Sequence, residues 1–204
     1  MRWSLGVVFV VYGEKPIEEA ARLARGHGFG HIDVLADTPE DLALPIGDRF
    51  AMRPTRGCSA GPAAEGTRSW DETVSDFRAV PGARVEPWHG SVVSSNERVL
   101  ALLEAVPGLE LNLDVGHVVG WGGDPVELVP HASHVQLRQA RAGQAQSRDG
   151  EGDVDLPAIV HALEQSDYQG LLSVEYFDLP DRGWPLDDPI ASALDFAARV
   201  RALL

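Results

Sequence analysis

Leu109-Glu110-Leu111-Asn112-Leu113-Asp114, followed by Val115-Gly116-His117, is the stretch that decides the fold. Its first six residues read as a largely apolar strand ending on a carboxylate, with a histidine three positions later. Working outward, the same form recurs. Ala83-Arg84-Val85-Glu86-Pro87 precedes it, and strands are expected over 133–138 and 171–176, the last ending in Ser173-Val174-Glu175-Tyr176. Helices are expected between and after them, at about 95–105, 125–131, 156–166 and 188–203. Asp155 with Pro157, and Asp188 with Pro189, are helix-start signals, a capping carboxylate ahead of a proline in the first turn.

The N-terminal end repeats the pattern. Residues 4–11 form an apolar, β-branched run, as expected of a buried strand. Pro16 opens a helical stretch to about Arg25, with Ile17, Ala20, Ala21, Leu23 and Ala24 on one side. Gly26 and Gly28 end it, and a strand follows near His31–Leu35. Strand, helix, strand at this spacing is a βαβ crossover. Repeated βα units without hairpin signals imply a parallel sheet, either open or closed into a barrel.

Residues 38–80 depart from that regularity. Leu42–Ile46 or Arg49–Met52 could each be a short strand, Pro54 to Gly66 reads as a loop, and Trp70–Phe77 has helical periodicity. Asp37, Glu40 and Asp41 read as a solvated turn. A (β/α) barrel has roughly 250 residues, whereas this chain has 204. The fold class expected is therefore α/β, a single TIM-like barrel domain over 1–204, shortened or incomplete around strands 3 and 4.

Composition excludes several function classes. Lys and Arg total 17 against 31 Asp and Glu, for a formal net charge of −14. Binding to nucleic acid or anionic membrane rests on basic side chains neutralising phosphate, so neither is an expected partner. The single cysteine, Cys58, forms no internal disulfide and no thiolate cluster, and a reducing cytoplasm is the expected compartment. The run Leu5 to Val11 is short for a signal peptide and ends at Tyr12-Gly13-Glu14-Lys15 without a small-residue cleavage site, so it is read as a strand. No stretch of about 18 apolar residues suggests a membrane span. Gly26-x-Gly28-x-Gly30 is no dinucleotide site, because it follows a helix and precedes a strand, the reverse of what that motif requires.

The chemistry-bearing residues stand at strand ends. Glu86 and Glu175 end two strands, Asp114 ends a third with His117 beyond it, and Gln136 lies in the fourth, two residues after His134. A carboxylate in such a place must be paired, protonated or bound to a cation, since isolated burial is costly. Four such groups on four successive strands converge at one mouth of a barrel, where active sites of this architecture lie. Oxygen-rich ligands suit manganese, magnesium, cobalt or zinc.

Val85-Glu86-Pro87-Trp88-His89-Gly90-Ser91, Leu113-Asp114-Val115-Gly116-His117, His134-Val135-Gln136-Leu137-Arg138-Gln139-Ala140 and Tyr168-Gln169-Gly170-Leu171-Leu172-Ser173-Val174-Glu175-Tyr176 together resemble the xylose-isomerase-like barrel proteins, a family of sugar-phosphate isomerases and epimerases. The His-x-Gln resembles the hydroxypyruvate-isomerase-like branch. The resemblance implies one divalent metal held by Glu86, Asp114, Gln136 and Glu175, with His134 behind them. It implies that His117 faces substrate oxygen and that Arg138 or Arg141 binds a substrate oxyanion. Trp88 and His89 are read as candidates to line the substrate, His89 alternatively standing behind Glu86 or simply packing. Glu86 and Glu175 would remove and return a proton beside a carbonyl.

Plainer readings stand beside these. Either glutamate alone could be a strand-end carboxylate in an ion pair, and Gln136 could only hydrogen-bond. His31, His131 and His161 read as surface or satisfied core histidines. Trp3 and Trp121, like Trp88, could wall a polar pocket or be core. The expected function is a metal-dependent isomerase or epimerase of a small sugar-like or hydroxy-keto substrate. The alternatives are a dehydratase or lyase on the same site, or a non-catalytic binding protein on a degenerate barrel. An endonuclease-IV-like activity would need more histidines and a basic surface. A homodimer that completes the shortened side is expected from the missing length alone.

Overall fold

The apolar run after Ser4 folds as β1 (Leu5–Val8), buried throughout, but its continuation Phe9–Tyr12 winds into a 3-10 turn instead of more strand. The computed structural model describes residues 2–35, 49–52, 69–80 and 82–204. The possible strand Leu42–Ile46, the loop Pro54 to Gly66, and Asp37, Glu40, Asp41 and Cys58 lie outside the described residues. After α1 (Ile17–Gly26), Gly28 takes a left-handed conformation (φ +78°) that turns the chain into β2 (Ile32–Leu35). β3 (Arg49–Met52) is one of the two short strands expected within residues 38–80. α2 (Trp70–Arg78) begins at a capping box: Ser69 Oγ accepts from Glu72 N–H, and the Glu72 carboxylate accepts from Ser69 N–H.

The second half is regular. β4 (Arg84–Val85), α3 (Asn96–Ala105), β5 (Glu110–Asp114), α4 (Val115–Gly120), β6 (Ala132–Leu137), α5 (Leu156–Gln165), β7 (Leu171–Val174) and α6 (Pro189–Leu203) follow in order. Asp155 and Asp188 cap α5 and α6, accepting from Ala158 N–H at 3.0 Å and Ala191 N–H at 2.9 Å.

Two expectations need correction. The helix foreseen over 125–131 is instead two 3-10 turns, Pro125–Glu127 and Val129–His131. Pro130 lacks the N–H that a continuous helix would need there. A helix not foreseen, α4, starts directly after Asp114. Val-Gly-His-Val-Val-Gly has poor intrinsic helix propensity, but Asp114 Oδ1 accepts from Gly116 N–H at 2.7 Å and His117 N–H at 3.2 Å, which holds its first turn.

The seven strands among the described residues form one parallel sheet in the order β3-β2-β1-β7-β6-β5-β4. Consecutive strands are neighbours and the last pairs with the first. Among the described residues this is a ring open between β3 and β4, whereas a doubly wound sheet reverses its order at a switch point. The shortened barrel expected from the sequence is the fold observed.

Strand alternation then sorts the side chains. Leu111, Leu113, Val135, Leu137, Leu172 and Val174 pack toward the helices, against residues such as Ile159, Leu163, Phe196 and Val200, in one continuous apolar core. The intervening positions Asn112, His134 and Ser173 are fully buried yet polar. Barrel interiors are commonly filled by branched aliphatic residues; here Asp33 and His31 from the β2 side join a hydrogen-bonded layer instead. His134 Nε2 is 2.7 Å from Asp33 Oδ2, and His31 Nε2 is 2.9 Å from Ser173 Oγ. The His31 ring lies over Gly6, where a Cβ would occupy the same space. No helix among the described residues is long and apolar enough to cross a membrane.

Candidate active site

Two residues beyond Asn112, His134 and Ser173 lie Asp114, Gln136 and Glu175, on the same side of the sheet. Asp114 is the parallel partner of Gln136, and Gln136 of Ser173. Glu175 N–H donates to Leu137 O at 3.1 Å, extending the β6–β7 ladder past the end of β7. Glu86 follows β4 directly, where Pro87 ends the strand by withholding an N–H. The structure thus brings Glu86, Asp114, Gln136 and Glu175 to one end of the sheet, as their positions at strand ends predicted.

Arg138 occupies the middle of the group. Its side chain is fully buried. Nη2 lies 2.5 Å from Asp114 Oδ2 and 3.0 Å from His117 Nε2, while Nη1 lies 3.0 Å from Glu175 Oε2. The guanidinium packs over the rings of Phe177 and Trp184, at 5.2 and 5.4 Å from their centroids. Gly116 is what lets the arginine in. A Cβ there would collide with Arg138 Nε and Cγ and with the Ala145 carbonyl.

His117 links the acids. Its Nε2 is 3.6 Å from Asp114 Oδ2 and 3.8 Å from Glu86 Oε1, and its Nδ1 is 3.4 Å from His89 N. Trp88 and Trp184 lie against its ring, with centroids 6.1 and 5.9 Å away. Asn112 Nδ2 donates to Gln136 Oε1 at 2.8 Å and to Glu86 Oε2 at 3.3 Å. The Glu86 side chain keeps 22% of its exposure, against 7% for His117 and 5% for Glu175, so the cluster opens to solvent beside Glu86.

Charge is unevenly shared. Burial, helped by the neighbouring Asp114 charge, pushes the Glu86 carboxyl up to about 7. Burial also raises Glu175 well above the usual carboxylate range, and the Arg138 charge does not offset it. Asp114 is equally buried, yet Arg138 and His117 hold it below its ordinary value. The neighbouring Asp114 charge adds to the rise of Glu175. The result is one carboxylate kept ionised between two that hold their protons more readily.

Glu86, Asp114 and His117 have donor atoms all within 4.8 Å of one another. Two carboxylates and an imidazole fit manganese, magnesium, cobalt or zinc. Gln136 and Glu175 adjoin this trio, with Gln136 Oε1 engaged by Asn112 and Glu175 by Arg138. His134 lies deeper, on Asp33. Arg141 is exposed and bonds Gln144 within its own turn, away from the cluster. Trp3 and Trp121 also lie elsewhere, bonded to Tyr168 O and Asn96.

Sequence reading did not single out three participants. Asn112 and Asp33 carried the signal that marked Glu86, a polar side chain within an otherwise apolar strand. Trp184 carried none, because it arrives on the turn that pairs Leu179 with Trp184.

Residues 82–200 match the family described as xylose isomerase-like TIM barrel. The rhizopine catabolism protein MocC of Rhizobium meliloti is 36% identical over 121 residues, covering 48% of this chain and 37% of that protein. The match thus spans little more than a third of that relative's length. Among solved structures, an L-ribulose 3-epimerase superposes with a TM-score of 0.74 at 17% identity, covering 99% of this chain and 94% of that one. The D-psicose 3-epimerase of Clostridium cellulolyticum H10, solved with D-tagatose, gives 0.76 at 11%, with coverage of 98% and 99%. A xylose isomerase-like TIM barrel protein from Mycobacterium smegmatis, in complex with magnesium, gives 0.67 at 13%, with coverage of 99% and 98%. At these identities the structural likeness is one of fold. The sequence match covers more than half of the chain, and on it this protein belongs to the xylose isomerase-like TIM barrel family.

Proposed function

We propose that the protein is a divalent-metal-dependent isomerase or epimerase of a small sugar-like or hydroxy-keto substrate, moving a proton at the carbon beside a carbonyl. The observation that carries this reading is the convergence of Glu86, Asp114 and Glu175 around Arg138 and His117 at one end of the sheet. The epimerases among its structural neighbours, and the magnesium-bound barrel, support it as analogies of fold.

Glu86, Asp114 and His117 would hold the ion, with Gln136 and Glu175 next to them. When bound, the metal supplies Lewis-acid stabilisation of negative charge developing on substrate oxygen. The protein's own groups do the rest. Glu86, on the side where the cluster opens to solvent, is placed to take and return a proton. Glu175 holds its proton above the usual range and serves as the acid partner. His117 presents Nε2 between Glu86 and Asp114, as the imidazole of that trio, while its Nδ1 accepts from His89 N–H. Trp88 and Trp184 flank it, offering apolar faces to the C–H side of a sugar and excluding water.

The test is proton exchange. Ketopentoses, ketohexoses and hydroxy-keto acids are incubated with protein and manganese in deuterated water, and the carbon-bound protons are followed by NMR. Deuterium should enter beside the carbonyl of at least one substrate, and both Glu86→Gln and Glu175→Gln should abolish it. A folded, metal-loaded protein that exchanges none of the panel would overturn the reading.

A further inference from the structure

Asp114 Oδ2 and His117 Nε2 are 3.6 Å apart. A divalent ion about 2.1 Å from each of them would lie in the space between. That space is taken. Arg138 Nη2 stands 2.5 Å from the same oxygen and 3.0 Å from the same nitrogen, and the guanidinium also holds Glu175. Two cations cannot share two donors at such distances, because their repulsion in a buried setting far exceeds thermal energy.

The geometry points to Arg138 as a displaceable internal cation that occupies the metal position when no ion is bound and must withdraw before Asp114 and His117 can ligate one. The inference deepens the proposed metal dependence and rests on it. Three features of the chain are shaped for this occupant. Gly116 leaves room for the arginine stem, Phe177 and Trp184 receive the guanidinium face, and Asp114 and Glu175 neutralise it. A protein so arranged is paired and folded without metal, and its affinity for the ion is reduced by the work of expelling the arginine. Withdrawal also has a direction. Nη2 leaves Asp114 and His117, and the guanidinium shifts relative to the Trp184 ring, 5.4 Å away.

Two measurements test this on the full chain. In calorimetric titration with manganese, Arg138→Gln should bind about tenfold more tightly than wild type or better, since the competing charge is gone. Equal or weaker binding by Arg138→Gln would overturn the displacement while leaving the metal dependence standing. Absence of binding in both proteins would overturn the metal reading and the displacement together. Should Arg138→Gln fail to fold, wild type alone decides. Magnesium, which does not quench tryptophan by itself, should change the emission in a saturable way that Trp184→Phe lacks. Calorimetric binding of magnesium by wild type with no such change would overturn the proposal.

Discussion

His134 Nε2 lies 2.7 Å from Asp33 Oδ2 across the barrel interior, and neither side chain reaches solvent. Strands β6 and β2 are not neighbours in the sheet, so this pair ties opposite parts of the wall through the middle. His31 approaches the other oxygen of Asp33, at 3.6 Å. Asp33→Ala removes the acceptor that two buried histidines face and should cost about 3–5 kcal/mol in denaturant unfolding. Asp33→Asn keeps the shape and should cost clearly less. Equal losses for the two would mean that packing, not the polar pairing, holds the layer.

Stability of the metal-free protein should depend on pH with a definite sign. Glu86 has its carboxyl at about 7 in the fold and near 4.5 when unfolded, so between those values the native state holds more protons. Its contribution is fully present below 4.5 and lost as pH rises through about 7, on the order of 3 kcal/mol at most. Glu175 acts in the same direction. Urea unfolding with a chelator present should show lower stability at pH 8 than at pH 5, and Glu86→Gln should flatten the difference. Rising stability across that window would contradict the burial of these carboxyls.

Gly116→Ala places a methyl group against the Arg138 stem and the Ala145 carbonyl. Overpacking of that kind costs about 1–3 kcal/mol. The loss should appear in the metal-free protein and shrink in saturating manganese, where the arginine has already moved. Thermal unfolding of both forms, with and without the ion, reads the comparison.

Glu86→Gln and Asp114→Asn should each weaken manganese binding by about tenfold or more. Each variant also changes the field on Arg138, so calorimetry is to be paired with circular dichroism to show that the barrel remains. Unchanged affinity in both would move the ion away from the Glu86, Asp114 and His117 trio.

The βα alternation of residues 83–204 was legible because each strand is apolar, each carboxylate ends one, and aspartates with prolines mark the starts of α5 and α6. The positions of Glu86, Asp114, Gln136 and Glu175 followed from that pattern. What sequence could not convey was the fate of Arg138. The family resemblance implied a group for substrate oxyanion there, and packing in the fold turns the side chain inward onto Asp114 and Glu175. Trp184 was likewise invisible, since its contacts with His117 and Phe177 depend on how one turn folds back. The 125–131 segment misled because its apolar spacing suits a helix while Pro130 breaks it locally.

Among the described residues the ring of strands has two rims, and one of them is β4. It is two residues long and is followed by Pro87, whose nitrogen carries no hydrogen. A foreign strand that tried to lengthen the sheet along β4 would find hardly any backbone groups to pair with. By its brevity the strand that carries the chain to Glu86 also gives little purchase for templated growth, so on that side the cut barrel resists becoming the seed of an aggregate.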